Sequence, residues 1–188
     1  MARVANDYLT GDFGKNVERF GAFTALSMHN ARDAIAELER AVRDLDMSGG
    51  MINNFQSKGA KGEEKIYFDT REYDPFWETM QELDVPIYFH PRYAVPHDLK
   101  AGTKYGDRRH LLGAGIQFHL NLNWHLYAIC SSGIFDRFPK VQTVAGYLGE
   151  KQSRHNYTTV TGSFVPYPST SGEQATGSTT HSSVTRAL

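Results

Sequence analysis

The residues best suited to chemistry stand where short apolar runs of this sequence end. His90 closes the run 85–89, and Pro91 follows at once, which prevents a strand from continuing. A neutral imidazole can ligate zinc and related metals, and it can equally be a hydrogen-bonded structural group. The position of His90 therefore marks a candidate site and leaves both roles open.

Other polar side chains follow two further apolar runs. Asn53 and Asn54 come at the end of one run, and Tyr147 and Glu150 come just after another. In parallel α/β folds the ligand site lies at the carboxyl ends of the strands. We therefore predict that these residues and His90 converge on one rim of a sheet.

The strands that must position this rim are predicted from apolar runs. These runs occupy residues 21–28, 50–55, 85–89 and 141–146, and they alternate with segments of helical periodicity. Because the runs are almost wholly apolar, they are typical of a parallel sheet covered by helices on at least one face. The fold class predicted is α/β.

Three helices are predicted between the strands. The first is capped by Asn30 and ended by Gly49 and Gly50, and the second opens with Asp74 and Pro75. The third carries apolar residues at helical spacing, namely Leu112, Ile116, Leu120, Trp124 and Tyr127.

Composition excludes several classes of protein. The 188 residues are 40% hydrophobic with a net charge of -1, so the chain can bury a core and has no bulk attraction to nucleic acid or anionic membranes. The single cysteine, Cys130, excludes an intramolecular disulfide and is expected to be a small buried hydrophobe. No signal-like segment and no run of ~18 apolar residues is found. We expect a cytoplasmic protein.

Three segments resemble a known family. Residues 67–92 (YFDTREYDPFWETMQELDVPIYFHPR), 131–150 (SSGIFDRFPKVQTVAGYLGE) and 31–55 resemble the amidohydrolase-related, metal-dependent decarboxylases of aromatic acids. The hydroxybenzoate decarboxylases are the best-known members. The resemblance covers roughly residues 5–150, and it implies a distorted (β/α)₈ TIM barrel with a single divalent metal.

The resemblance implies roles for individual residues. His90, in FHPR, matches a strand-end histidine that ligates the metal in the family, and Glu150 matches a glutamate that supports a catalytic histidine. Tyr147 stands where that histidine is expected, and its ordinary pKa of ~10 makes a phenol a poor substitute for imidazole as acid and base. His125 matches a helix histidine, for which a satisfied structural role is the favoured interpretation.

The implied metal and substrate sites are incomplete in this sequence. Residues 1–20 contain no histidine, whereas the family's first strand carries an acidic residue and a histidine as metal ligands. The family's late aspartate would lie beyond residue 150. We therefore expect a divalent metal, zinc or else magnesium or manganese, to be weakly bound or absent. Asn53 and Arg92 are candidates for substrate contacts, and surface ion pairing is an equal alternative for Arg92.

The domain organisation expected is a partial barrel. Residues 1–20 form an N-terminal segment, residues 21–150 a partial TIM-barrel domain, and residues 151–188 a Ser/Thr/Gly-rich tail that reads as disordered. A complete barrel needs ~250 residues, so four or five strands with two open edges are predicted. Such edges favour a homo-oligomer or association with a full-length homologue.

Three functions are compatible with the sequence. The first is metal-dependent, non-oxidative decarboxylation of a hydroxylated aromatic acid, with activity weakened or lost through truncation. The second is metal-dependent hydrolysis of the amidohydrolase type. The third is a catalytically incompetent chain that acts only as an interaction partner. Partners expected are a small aromatic acid and a second protein chain, with no nucleic acid or membrane.

Overall fold

The computed structural model describes residues 1–13, 19–60 and 62–146. The helices are α1 (Ala2–Phe13), α2 (Ala31–Leu45), α3 (Asp74–Glu82), α4 (Gln117–Ser131) and α5 (Ile134–Arg137). The strands are β1 (Phe23–Ala25), β2 (Gly49–Asn53), β3 (Gln56–Lys58), β4 (Glu64–Ile66), β5 (Ile87–His90) and β6 (Thr143–Ala145).

Four of these strands form one parallel sheet in the order β1-β2-β5-β6. They are the four predicted strands, each shorter than its apolar run. Because all four run in the same direction, their carboxyl ends share one rim. This topology confirms the predicted α/β class and the parallel sheet.

One face of the sheet carries the hydrophobic core. Ile52, Ile87 and Phe89 are at most 2% exposed and pack beneath the helices. Trp77 of α3 is fully buried there, and its indole N–H donates to the carbonyl of Phe68 at 2.9 Å. The helices therefore hold β2 and β5 rigidly from one side.

The opposite face of the sheet is partly open among the described residues. Met51 of β2 is 37% exposed and Val144 of β6 is 42% exposed. Both are register partners of Tyr88, which lies on β5 between them. Residues on this face alternate with those that contact the helices, as the two-residue period of a strand requires. It is the face that a closed barrel fills with side chains from the other strands.

Local signals explain the limits of α2. The Asn30 side chain accepts a hydrogen bond from the backbone N–H of Asp33 at 2.8 Å, which confirms the predicted cap. The predicted stop at Gly49 and Gly50 is wrong, because the helix ends earlier at Asp46, which has a left-handed backbone with φ 54°. Gly49 and Gly50 instead begin β2.

Two other elements differ from the prediction. No strand was predicted between β2 and α3, whereas this segment contains the antiparallel pair β3–β4. The helix expected from Leu112 begins at Gln117, and its stripe of Leu120, Trp124 and Tyr127 faces solvent instead of the core.

An asparagine of α1 occupies part of the outer edge of β1. The Asn6 side chain accepts from the N–H of Ala25 at 2.9 Å and donates to its carbonyl at 3.0 Å. The same amide donates to Glu37 of α2 at 2.8 Å, and Arg40 holds that carboxylate in turn. Residues 2–13, predicted only as a preceding segment, thus form a helix attached to the sheet.

Replacing Asn6 with leucine is expected to destabilise the chain by about 1–3 kcal/mol, because the N–H and the carbonyl of Ala25 both lose a partly buried hydrogen bond. Chemical denaturation would measure the change. Asn123→Leu, on α4 away from this edge, is the control. It is expected to change the free energy of unfolding by no more than about 0.5 kcal/mol. Equal effects of the two variants would contradict a specific role of the Asn6 amide.

None of the helices within the described ranges is long and apolar enough to cross a membrane.

Candidate functional site at the carboxyl rim of the sheet

The rim is formed by the adjacent ends of β2 and β5. Asn53 and His90 are direct partners in the parallel register, so they end their strands side by side. Asn53 is exposed and His90 is half-buried. Both project from the open face of the sheet, where the His90 ring lies 6.3 Å from the Tyr88 ring between centroids. The predicted convergence of these two strand ends is therefore observed.

Asn54 does not join Asn53 on this surface. It is 1% exposed, and its side-chain oxygen accepts from the backbone N–H of Arg92 at 2.8 Å. Its own N–H donates to the carbonyl of His90 at 3.2 Å. Successive residues of a strand point to opposite sides, and Asn54 accordingly becomes the buried support of the segment that carries His90 and Arg92.

A second buried amide fixes the same segment from α4. Gln117 is fully buried and donates to the carbonyl of Arg92 at 2.8 Å. Arg92 is thus held at its N–H by Asn54 and at its carbonyl by Gln117. Sequence reasoning missed Gln117, because it opens a helix whose start the two glycines Gly113 and Gly115 obscure.

Two cations lie over one aromatic ring beside this segment. The Arg92 guanidinium lies 5.5 Å from the centroid of Phe55, and the Lys65 ammonium lies 5.1 Å from it. Lys65 is neutralised by Asp98 at 2.7 Å. Within the described part of the chain, no carboxylate forms an ion pair with Arg92, so the surface ion pair considered for it is not seen there. A planar guanidinium held in this way can bind a carboxylate through two parallel hydrogen bonds.

His125 lies in a different environment beneath the rim. Its side chain is fully buried, and neither ring nitrogen has a hydrogen-bond partner among the described residues. Three rings surround it at centroid distances of 5.5–5.6 Å, those of Tyr67, Phe68 and Phe89. Burial lowers the pKa of His125 to about 3. The histidine that was expected to be satisfied is thus a buried neutral imidazole without a hydrogen-bond partner in the described part of the chain, which corrects the prediction.

Burial also raises the pKa of the neighbouring Tyr67 hydroxyl, and the carboxylates of Asp98 and Asp69 raise it further. This phenol therefore stays neutral and can act only through its hydroxyl hydrogen bond.

Two predicted catalytic residues, Tyr147 and Glu150, lie outside the described residues. Within the ranges that are described, no three His, Cys, Asp or Glu side chains come together as a metal site. Among the described residues, His90 is thus not joined on the rim by the two further ligands that a divalent metal ordinarily requires. The described donor set does not fit a complete metal centre.

A parallel α/β sheet with polar residues at the carboxyl ends of its strands is typical of TIM-barrel folds, and comparison with known proteins shows the family to which the chain belongs. Residues 1–169 match the model of the family described as Amidohydrolase. The chain belongs to that family.

Individual relatives are decarboxylases of hydroxylated aromatic acids. The chain is 38% identical over 149 residues to a gamma-resorcylate decarboxylase of Polaromonas sp. strain JS666. This match covers 79% of this chain and 44% of the relative. A 2,6-dihydroxybenzoate decarboxylase structure from Rhizobium matches with a TM-score of 0.73 and 37% identity over 80% of this chain and 45% of its own.

A third relative shows what such a protein can bind. The dihydroxybenzoic acid decarboxylase of Polaromonas sp. JS666 was solved with bound manganese and the inhibitor 2-nitroresorcinol. It matches with a TM-score of 0.69 and 37% identity over 77% of this chain and 42% of its own. The chain therefore spans a little under half the length of the relatives that it matches. The structural similarity, which extends over most of this chain but less than half of each relative, confirms the predicted partial barrel.

Proposed function

We propose that this chain serves the non-oxidative decarboxylation of a hydroxylated aromatic acid. The observation that carries the proposal is the similarity to gamma-resorcylate decarboxylases across about four fifths of the chain. The rim supports it, because His90 and Asn53 end neighbouring strands in register and Arg92 is fixed beside them.

Each rim residue has a part in this proposal. Arg92 would hold the substrate carboxylate, since two hydrogen bonds fix its backbone and its positively charged guanidinium lies over the Phe55 ring. Asn53 would donate to a ring hydroxyl from the exposed end of β2. His90 would be the metal-ligating residue of this rim, and Tyr147 and Glu150 would supply the hydrogen bonds that accompany protonation of the ring.

The experiment that tests the proposal compares two reactions of the purified chain. Carbon dioxide release from 2,6-dihydroxybenzoate is measured beside hydrolysis of lactones and amides, with added manganese, zinc or magnesium. Release of carbon dioxide without hydrolysis supports the proposal. Hydrolysis alone would replace it with the amidohydrolase-type reaction, in which a metal activates water.

A second function is favoured by one observation, the absence of a three-residue metal site among the described residues. In that case the chain would be catalytically incompetent and act only as a partner of a complete homologue. Metal content distinguishes the two functions. A stoichiometric divalent metal in the folded chain supports the enzyme, whereas metal-free protein that gains metal only with a full-length homologue supports the partner.

A further inference from the structure

Exposed basic side chains are concentrated in one short segment that follows β5. Residues 97–110 contain four lysine and arginine residues, all exposed, which we call the basic cluster: Lys100, Lys104, Arg108 and Arg109. The segment also contains two aspartates, so its net charge is +2 with histidine neutral, whereas the whole chain has a net charge of -1. Positive charge is therefore concentrated locally on a chain that is close to neutral overall.

The two aspartates of this segment are engaged with other groups. Asp98 binds Lys65 of β4 at 2.7 Å, and the Asp107 side chain accepts a hydrogen bond from the backbone N–H of Gly102 at 3.1 Å. Within the described ranges, no member of the basic cluster forms an ion pair with a carboxylate. No described ion pair therefore cancels the charge of the cluster.

The backbone that carries the cluster is fixed by a buried tyrosine. Tyr105 is 1% exposed, and its hydroxyl donates to the side-chain oxygen of Asn121 on α4 at 2.8 Å. Its backbone N–H donates to the carbonyl of Asp98 at 3.3 Å. Gly106 follows it, and a side chain at this position would overlap with the carbonyl of Lys100. The segment thus packs closely on itself, and its backbone presents the cations from a fixed position.

This segment lies next to the carboxyl rim. Only residues 93–96 separate it from Arg92, which follows the end of β5. Lys65, the partner of Asp98, lies over the same Phe55 ring as the Arg92 guanidinium, at 5.1 Å and 5.5 Å from the ring centroid. The start of the segment is therefore held beside Arg92 by contacts as well as by chain connectivity.

Clustered cations beside a site change which small molecules reach it. A carboxylic acid is ionised near pH 7, because its ordinary pKa is ~4. A local positive potential raises the concentration of such anions at a site, and the rate at which they arrive, by roughly 10–10³-fold. A neutral phenol of the same size gains nothing from this potential. Salt weakens the effect, since the Debye length falls from ~30 Å at ~0.01 M salt to ~10 Å at ~0.1 M.

From this arrangement we propose that the basic cluster attracts small organic anions to the carboxyl rim, and so makes the rim select aromatic carboxylates over neutral phenols. The inference rests on the proposed function in taking an aromatic acid as the ligand. The attraction itself is a property of the folded chain and can be measured without the reaction.

Amide NMR with charged nitroxides measures the potential at the rim of the full chain. At low salt, a carboxylate-bearing nitroxide is expected to broaden the amides of His90 and Arg92 at least ~2-fold more than an ammonium-bearing nitroxide with the same ring. Lys100→Glu/Arg108→Glu is expected to abolish or reverse this preference, because neither side chain is needed for the anchor at Tyr105.

The matched control is Arg43→Glu/Lys140→Glu, which changes the net charge by the same amount. Both residues are exposed, and they lie before the amino ends of β2 and β6 instead of at the rim. The control is expected to keep the preference for the anionic nitroxide at His90 and Arg92. Equal broadening by the two nitroxides at the rim, or an equal loss in both double variants, would overturn the proposal.

Ligand titrations separate this inference from the proposed function. Lys100→Glu/Arg108→Glu is expected to weaken binding of 2,6-dihydroxybenzoate at least ~10-fold at low salt, with a smaller effect at ~0.3 M salt and none on neutral resorcinol. Equal weakening of both compounds would overturn the selection of carboxylates. A rim that attracts the anionic nitroxide but binds no 2,6-dihydroxybenzoate would contradict the proposed function and support the attraction of anions.

Discussion

The free energy of unfolding of the chain is expected to fall steeply as the pH drops from 6.5 to 3. The substitution His125→Leu is expected to remove most of this pH dependence. The ordinary pKa of a histidine in the unfolded chain is near 6.5, whereas burial lowers the pKa of His125 to about 3 in the folded chain. Between these values the unfolded chain binds a proton that the folded chain excludes. Each pH unit in this window therefore costs about 1.4 kcal/mol of folding free energy through His125 alone.

The leucine variant should also hold its stability at neutral pH. Both nitrogens of His125 are buried among the rings of Tyr67, Phe68 and Phe89, and no described residue forms a hydrogen bond with them. Replacing an unsatisfied polar group with an apolar side chain of similar volume is nearly neutral or stabilising. His97→Leu, at an exposed histidine, is the control. Urea denaturation at pH 7.0, 5.5 and 4.5 measures the effect, and an unchanged acid slope in the His125 variant would contradict it.

His90→Ala is expected to lower carbon dioxide release from 2,6-dihydroxybenzoate by at least ~100-fold, to the background of the assay. The imidazole is the described side chain of this rim that could ligate a metal or act as a general acid or base, and a positioned acid or base commonly contributes ~10²–10⁴ in rate. Asn53 and Arg92 cannot replace it, because an amide side chain is a poor acid and base and a guanidinium offers hydrogen-bond donors but no acceptor.

The matched control is His97→Ala, because His97 is exposed and lies in the short 3₁₀ helix Pro96–Leu99 that follows β5. It should retain the release rate of the unmodified chain. Folding of both variants is checked by circular dichroism and thermal melting. If the His90 variant matches the unmodified chain in rate, the release does not depend on this rim and His90 has no catalytic part.

The sheet was predictable because its strands are short apolar runs with clear ends. Pro91 ends β5 directly after His90, and Asn53 ends β2, so the alignment of these two residues follows from a parallel sheet. The β3–β4 pair was not predictable, because the segments QSK and EKI are mostly polar and show no apolar alternation. Their pairing depends on backbone hydrogen bonds and on the hairpin geometry.

The orientation of α4 could not be read from periodicity. Leu120, Trp124 and Tyr127 recur at helical spacing, but so do Leu122, His125 and Ile129 on the other side. A helix with two apolar faces gives no signal for which face meets the sheet. Only the packing shows that the face carrying His125 is buried, which is why its unpaired imidazole was not foreseen.

The support of Arg92 is likewise a tertiary feature. Asn54 and Gln117 are 38 and 25 residues away from it in sequence, and each contributes one buried hydrogen bond. The sequence indicates that asparagine follows β2, but the alternation of strand side chains decides that Asn53 remains on the rim while Asn54 turns inward.

The most direct test of the carboxyl rim as the substrate site is amide NMR of the ¹⁵N-labelled chain titrated with 2,6-dihydroxybenzoate. Binding at this rim predicts saturable shifts at residues 53–55, 90, 92 and 117, with little change at the amino ends of the same strands around Gly49 and Ile87. Arg92→Met should abolish these shifts. Saturable shifts confined to the amino ends of the strands, or shifts at the rim that persist in Arg92→Met, would contradict a carboxylate site held by Arg92.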